Sequence, residues 1–180
     1  HPKYDMFKRL ETDKDDWHKI LEYAISTNKL IFVDVFGEGS FRFSLNFKVD
    51  AYKIPPSDMT NYDLIHQVSS SSKSMILSSG AATLEDLEKA ISICHKNNQK
   101  DFVIMHGFQA YPTKIEDTNL NRIETLMKRF NCPVGYADHV DGSSEMAILM
   151  PLLAAARGAR LIEKHFTLNR DLKGIDYQSS

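Results

Sequence analysis

One hundred and eighty residues, 42% hydrophobic and 26% charged, suffice for a single domain with a sizeable core and exclude a disordered or low-complexity chain. A formal net charge of −2, with lysine and arginine scattered rather than clustered, leaves no nucleic-acid footprint and no basic membrane-binding face. Cys94 and Cys132 form no metal-ligand spacing, no apolar run reaches the ~18 residues of a membrane span, and nothing at the start reads as a signal peptide, so a reducing, cytoplasmic setting is expected.

Trp17, Ile20, Leu21 and Ala24 recur at helical spacing behind Asp13, which fits an N-cap with Asp16 three positions on. The run LIFVDV (30–35) reads as a strand, followed by a Gly-containing loop over 36–40. A short strand at 50–54 stops at Pro55-Pro56, a helix covers 61–70, and a strand at 74–78 closes at Ser78-Ser79-Gly80. Thr83 and Asp86 form a capping box for the helix carrying Leu87, Ala90, Ile91 and Cys94. Strand 101–106, a turn-rich segment to Thr113, a helix through Leu120, Ile123, Leu126 and Phe130, strand 132–136, a further helix and strand 160–165 complete the pattern. Strand starts near 30, 50, 74, 101, 132 and 160 mark a βα repeat, which predicts parallel strands in that spatial order with the helices outside. A closed eight-stranded barrel needs ~250 residues, so the expectation is a (β/α)8 TIM barrel present as roughly strands 3 to 8, with Ile31 and Val33 facing the gap left by the first two.

In a parallel sheet or barrel, ligands sit at the carboxyl ends of the strands. His139 and His165 both stand where a strand hands over to its loop, and their spacing, 165 − 139 = 26 residues, is about one repeat, which aims two imidazoles at one point. Neutral imidazole suits a divalent metal, although a lone strand histidine is more often structural. Alternation puts Leu161, Glu163 and His165 on one strand face, where a carboxylate is expensive unless it serves a site. Glu163 is therefore expected to orient a water or ligand beside the metal. Lys53 shares a face with Ala51, an interior position that calls for an anion unless the strand lies at the surface. Ser78-Ser79-Gly80 offers hydroxyls and N–H groups near a helix start, and His106–Thr113 offers an imidazole, Gln109, Tyr111 and a hydroxyl on the same rim.

YKIPPSD (Tyr52–Asp58), MILSSGAATLEDLEKAI (Met75–Ile91), AYPT (Ala110–Thr113), GYADH (Gly135–His139), IEKHFTL (Ile162–Leu168) and GID (Gly174–Asp176) follow in order the pattern of the sialic acid synthase family, and MFKRLE (Met6–Glu11) resembles its segment ahead of the third barrel strand. The resemblance spans nearly the whole chain. It implies a barrel enzyme, a C–C bond-forming transferase that condenses phosphoenolpyruvate with an N-acetylated amino sugar, N-acetylmannosamine or a relative, to a nonulosonic acid. By the same resemblance His139 and His165 hold a divalent metal, Mn2+ or similar. Lys53, Ser78, Gln109 and Tyr111 match phosphoenolpyruvate-binding positions, Asp176 a sugar-binding one, and the full-length protein would be a homodimer.

The family's acidic catalytic residue belongs to a strand outside residues 1–180, as does its C-terminal antifreeze-like domain, so the expectation is a partial barrel domain. Val35 stands where the family's third strand presents a Thr to the phosphate, Pro56 where a Ser is usual, Gln109 where an Asn is usual, and Tyr177 where a His follows GxD. Two alternatives accompany this reading. One is another phosphoenolpyruvate-condensing or aldol-type barrel enzyme; the other is a non-catalytic homologue that binds sugar or a partner.

Overall fold

The computed structural model describes residues 4–180. Among these, six strands form one all-parallel sheet in the order β1-β2-β3-β4-β5-β6: β1 (Phe32–Asp34), β2 (Ala51–Ile54), β3 (Ser74–Ser78), β4 (Phe102–His106), β5 (Val134–Asp138) and β6 (Ile162–Lys164). The expected order and direction of the strands are those observed. Crossovers carry α3 (Gly37–Ser44), α4 (Tyr62–Ser69), α5 (Leu84–Lys96), α6 (Asn121–Phe130) and α7 (Met146–Ala156), while α1 (Tyr4–Arg9) and α2 (Lys14–Ser26) precede the sheet. With no switch point in the strand order, the sheet curls as an arc of a barrel rather than twisting open. Lys53 on β2 reaches Glu163 on β6, 2.8 Å away, which fixes the direction of that curl.

Helix boundaries follow local chemistry. Asp13 accepts the backbone N–H of Asp16 at the start of α2, Asn61 accepts that of Leu64 at α4, and Thr83 and Asp86 form a reciprocal capping box at α5. Asn131 adopts a left-handed conformation that ends α6, and Gly158 (φ +99°) turns the chain after α7. The Gly-containing segment 36–40 is not a loop: Gly37–Ser44 is helical. Two glycines weaken helix propensity there, but Phe41 and Ser44 are buried and Phe41 packs edge-on against Tyr52, so tertiary packing decides.

Strand parity separates two faces. Tyr52, Ile54, Met75, Leu77, Ile104, Val134 and Tyr136 point toward the helices and join Leu64, Leu87, Ile123 and Leu126 in one core cluster. On the concave face only Ile76, Met105 and Ala137, with Leu161 beside them, form a second small cluster. The face assignment of the first strand differs from expectation. Ile31 and Val33 pack against the helix-side core, whereas Leu30 (74% exposed) and Phe32 (47%) are the solvent-facing pair. Val35 is likewise fully buried on the helix side, so it does not face a ligand site at all. The β1 residue turned to the concave face is Asp34.

Candidate active site

The concave face opens at the carboxyl ends of the strands into a cavity of about 280 Å³, lined by Asp34, Lys53, Ser78, Gln109, Tyr111, His139, Glu163, His165 and Asp176 among others. The positions matched by family resemblance, Lys53, Ser78, Gln109, Tyr111, His139, His165 and Asp176, all line it together with Glu163, whereas His106 and Thr113 do not. A larger groove of about 710 Å³ lies on the outer side against α6 and α7. His106 opens onto that groove instead, because it is one residue out of phase with Met105, and its Nε2 is 2.8 Å from the Thr118 carbonyl. Thr113 is also diverted: its hydroxyl donates to the Ala110 carbonyl, and its backbone N–H to that of His139.

His139 is held firmly. It is 4% exposed, its Nδ1 is 2.8 Å from the Phe108 carbonyl, and its ring packs 4.5 Å from that of Tyr111. A carbonyl only accepts, so Nδ1 carries the proton and Nε2 keeps its lone pair. Burial lowers the His139 pKa, ahead of the opposing hydrogen bond to Phe108, so the ring is neutral near pH 7. His165 lies edge-on to it, with ring centroids 5.1 Å apart, and its Nδ1 is 3.7 Å from an Asp176 carboxylate oxygen. Glu163 completes the group: one ligand atom from each of His139, Glu163 and His165 lies within 4.8 Å of the others. Two ligands on one ion at ~2.1 Å are separated by at most about 4.2 Å, so small side-chain rotations suffice to close the set. Two neutral imidazoles and a carboxylate are the donors a borderline divalent ion prefers, and a backbone carbonyl fixing the far nitrogen is the usual support for a ligating histidine.

Behind these residues the strand ends are tied together on the opposite face. Lys164 Nζ is 2.7 Å from a carboxylate oxygen of the fully buried Asp138, which also accepts the Val140 N–H. Asp138 and Lys164 each immediately precede one of the two histidines, so their ion pair holds the β5 and β6 exits in register.

At the other wall Lys53 sits between two carboxylates, 3.2 Å from Asp34 and 2.8 Å from Glu163. Burial alone would lower its pKa, but attraction to Asp34 and Glu163 outweighs that cost and raises it, so the ammonium is charged. Asp34 moves up because its own burial outweighs Lys53. The anion that the sequence demanded for Lys53 is thus supplied by the protein. Asp34 was the residue missed, and the signal was there: a carboxylate inside an otherwise apolar strand.

Ser78 is buried with no partner for its Oγ among the described residues, a donor held ready in the cavity floor. Gln109 accepts a 2.8 Å hydrogen bond from Tyr111, whose pKa is pushed up to about 12 by burial, then by Asp176 and Glu163, so the phenol keeps its proton. The loop can lie this close only because residue 80 is glycine: a Cβ there would meet the Gly107 carbonyl at 2.4 Å and Gln109 Nε2 at 2.5 Å.

The sequence profile of the NeuB family matches residues 1–180. The chain belongs to the NeuB family. It is 34% identical to the N,N'-diacetyllegionaminic acid synthase of Legionella pneumophila, over 99% of this chain and 50% of that protein. It is 35% identical to the pseudaminic acid synthase of Helicobacter pylori, over 96% and 49%. Among solved structures, the N-acetylneuraminic acid synthetase of Leptospira borgpetersenii in complex with citrate superposes with a TM-score of 0.87 at 35% identity, over 96% of this chain and 59% of that one. This NeuB family member therefore has the arc of a TIM barrel, and it spans about half the length of the curated relatives it matches. No helix among the described residues is long and apolar enough to cross a membrane.

Proposed function

We propose that the cavity is the metal and phosphoenolpyruvate side of a nonulosonic acid synthase site, which joins phosphoenolpyruvate to an N-acetylated amino sugar, takes up one water and releases phosphate. One observation carries the reading: the convergence of His139, Glu163 and His165 with Lys53, Ser78, Gln109 and Tyr111 in one cavity at the strand ends of a NeuB family barrel. His139 and His165, with Glu163, would hold a divalent ion such as Mn2+, whose chemistry when bound is to polarise the sugar carbonyl.

The protein's own groups do the rest. Lys53 supplies the positive charge for phosphoenolpyruvate, and the unpartnered Ser78 hydroxyl donates to one of its oxygens. Tyr111 stays protonated and donates as well, after exchanging Gln109 for the ligand. Asp176, oriented toward His165, accepts from a sugar hydroxyl. Asp34, 3.2 Å from Lys53, offsets part of the ammonium's charge and so weakens its attraction for an oxyanion.

Phosphate release from phosphoenolpyruvate is measured on the full-length protein with Mn2+ and a panel of N-acetylated amino sugars, alongside Mn2+ titration. Sugar-dependent release that is lost in His165→Ala supports the reading. Mn2+ binding without turnover on any sugar reduces it to a sugar-binding or partner-binding homologue, and no Mn2+ binding at all overturns it.

A further inference from the structure

Glu163 faces two ways. Its carboxylate is 2.8 Å from Lys53 and is also one of the three groups gathered around His139 and His165. A single negative charge cannot serve both fully, and whatever it gives to a cation beside the imidazoles it withdraws from the ammonium. The charge balance of the cavity sharpens the conflict. Asp34, Glu163 and Asp176 line it against the single ammonium of Lys53, so acidic side chains outnumber lysine and arginine there by two, 3 − 1 = 2. An anion arriving at Lys53 meets that excess, and a divalent cation cancels it.

The geometry points to Glu163 as a coupling residue through which a divalent cation at His139 and His165 and an oxyanion at Lys53 bind with positive linkage. This rests on the reading above and extends it, since two adjacent sites need not be coupled. When Glu163 turns to the cation, Lys53 keeps Asp34 at 3.2 Å and is not left as an unpaired charge, but it gains a free direction for a ligand oxygen. Linkage is reciprocal, so the anion must tighten the cation by the same factor.

The test uses the protein with Mn2+ alone, inorganic phosphate alone, and each in the presence of the other at saturation, followed by calorimetry. Phosphate should bind roughly tenfold more tightly with Mn2+ present, within the usual 5- to 150-fold range of coupling, and Mn2+ should tighten equally with phosphate. Glu163→Gln separates this route from direct contact between phosphate and the ion. In that variant the metal-free protein should bind phosphate more tightly than wild type, and saturating Mn2+ should add little. Lys53→Met should lose phosphate yet bind Mn2+ more tightly than wild type, and phosphate should no longer tighten Mn2+ in it. Asp34→Asn should raise phosphate affinity in both forms and leave the coupling in place. Independent binding of the two ions in wild type overturns the coupling while leaving the proposed function standing, as does unchanged or weakened Mn2+ binding in Lys53→Met. Absence of Mn2+ binding in wild type overturns both.

Discussion

The two faces of the sheet differ in kind. The convex face is a continuous apolar layer in which strand side chains such as Leu77, Ile104 and Val134 interlock with α4, α5 and α6. The concave face carries a small apolar cluster around Ile76, Met105 and Ala137 and then gives way to Asp34, Lys53, Glu163 and the two histidines. Burial of apolar surface gains about 25 cal/mol per Å², while each buried charge costs several kcal/mol before pairing. The convex face therefore holds the fold, and the concave face is a load the fold carries. If that division is right, substitutions should separate cleanly into those that move stability and those that move ligand binding.

The largest expected effect is on the convex face. Ile104 is fully buried, and Ile104→Ala should cost about 2–5 kcal/mol in denaturant unfolding while leaving Mn2+ affinity within twofold in the protein that remains folded. A large loss of affinity at unchanged stability would break the division. The reciprocal probe is His165→Ala, which should weaken Mn2+ at least tenfold, about 1.4 kcal/mol, with little change in the unfolding midpoint, because the side chain is 25% exposed and its Asp176 contact is 3.7 Å. His139 is the poorer probe. It is buried, hydrogen-bonded to Phe108 and packed at a tilt against Tyr111, so its removal disturbs packing as well as the site.

Thr83→Ala should cost about 1 kcal/mol by removing the cap of α5, read in the same unfolding assay, and should leave the cavity untouched. The gentlest effect is a slope with pH. Burial holds His106 and His139 below the ordinary 6.5, so the unfolded chain takes up protons first as pH falls. Stability should be full above about pH 6.5 and decline steadily below it, until the folded-state pKa values are passed. Unfolding midpoints measured between pH 7.5 and 5 check the sign. A rise in stability on acidification would contradict the buried neutral rings.

The same division explains which features were legible in the chain. Strand order, crossover helices and the α5 cap follow from period and capping chemistry, and Glu163 and His165 share a strand face because they stand two residues apart along one strand. In β1 the rule fails: LIFVDV is apolar at both phases apart from Asp34, so it shows no alternation that would tell the side of Ile31 and Val33 from that of Leu30 and Phe32. Asp34 was the one residue that could have set the phase. Helix α3 was hidden for a different reason. Its GEGSFRFS sequence is a poor helix former, yet a parallel connection from Val35 to Ala51 leaves few options other than a helix across the sheet. The contact between Lys53 and Glu163 could not be read at all, since it depends on how far the arc bends.

That contact also sets an order of assembly. Each strand of the sheet pairs only with its neighbours in sequence, so a chain emerging from the ribosome can add one βα unit after another with short loop closures. Lys53 and Glu163 are 110 residues apart and meet only after β6 has docked. Until Ile162–Lys164 has been synthesised, Lys53 has Asp34 as its sole counter-charge, and the wall that carries Glu163 and His165 does not exist. The cavity is thus closed by β6, the sixth of these strands to emerge, and a nascent chain holds much of the convex core before it holds this wall of the site.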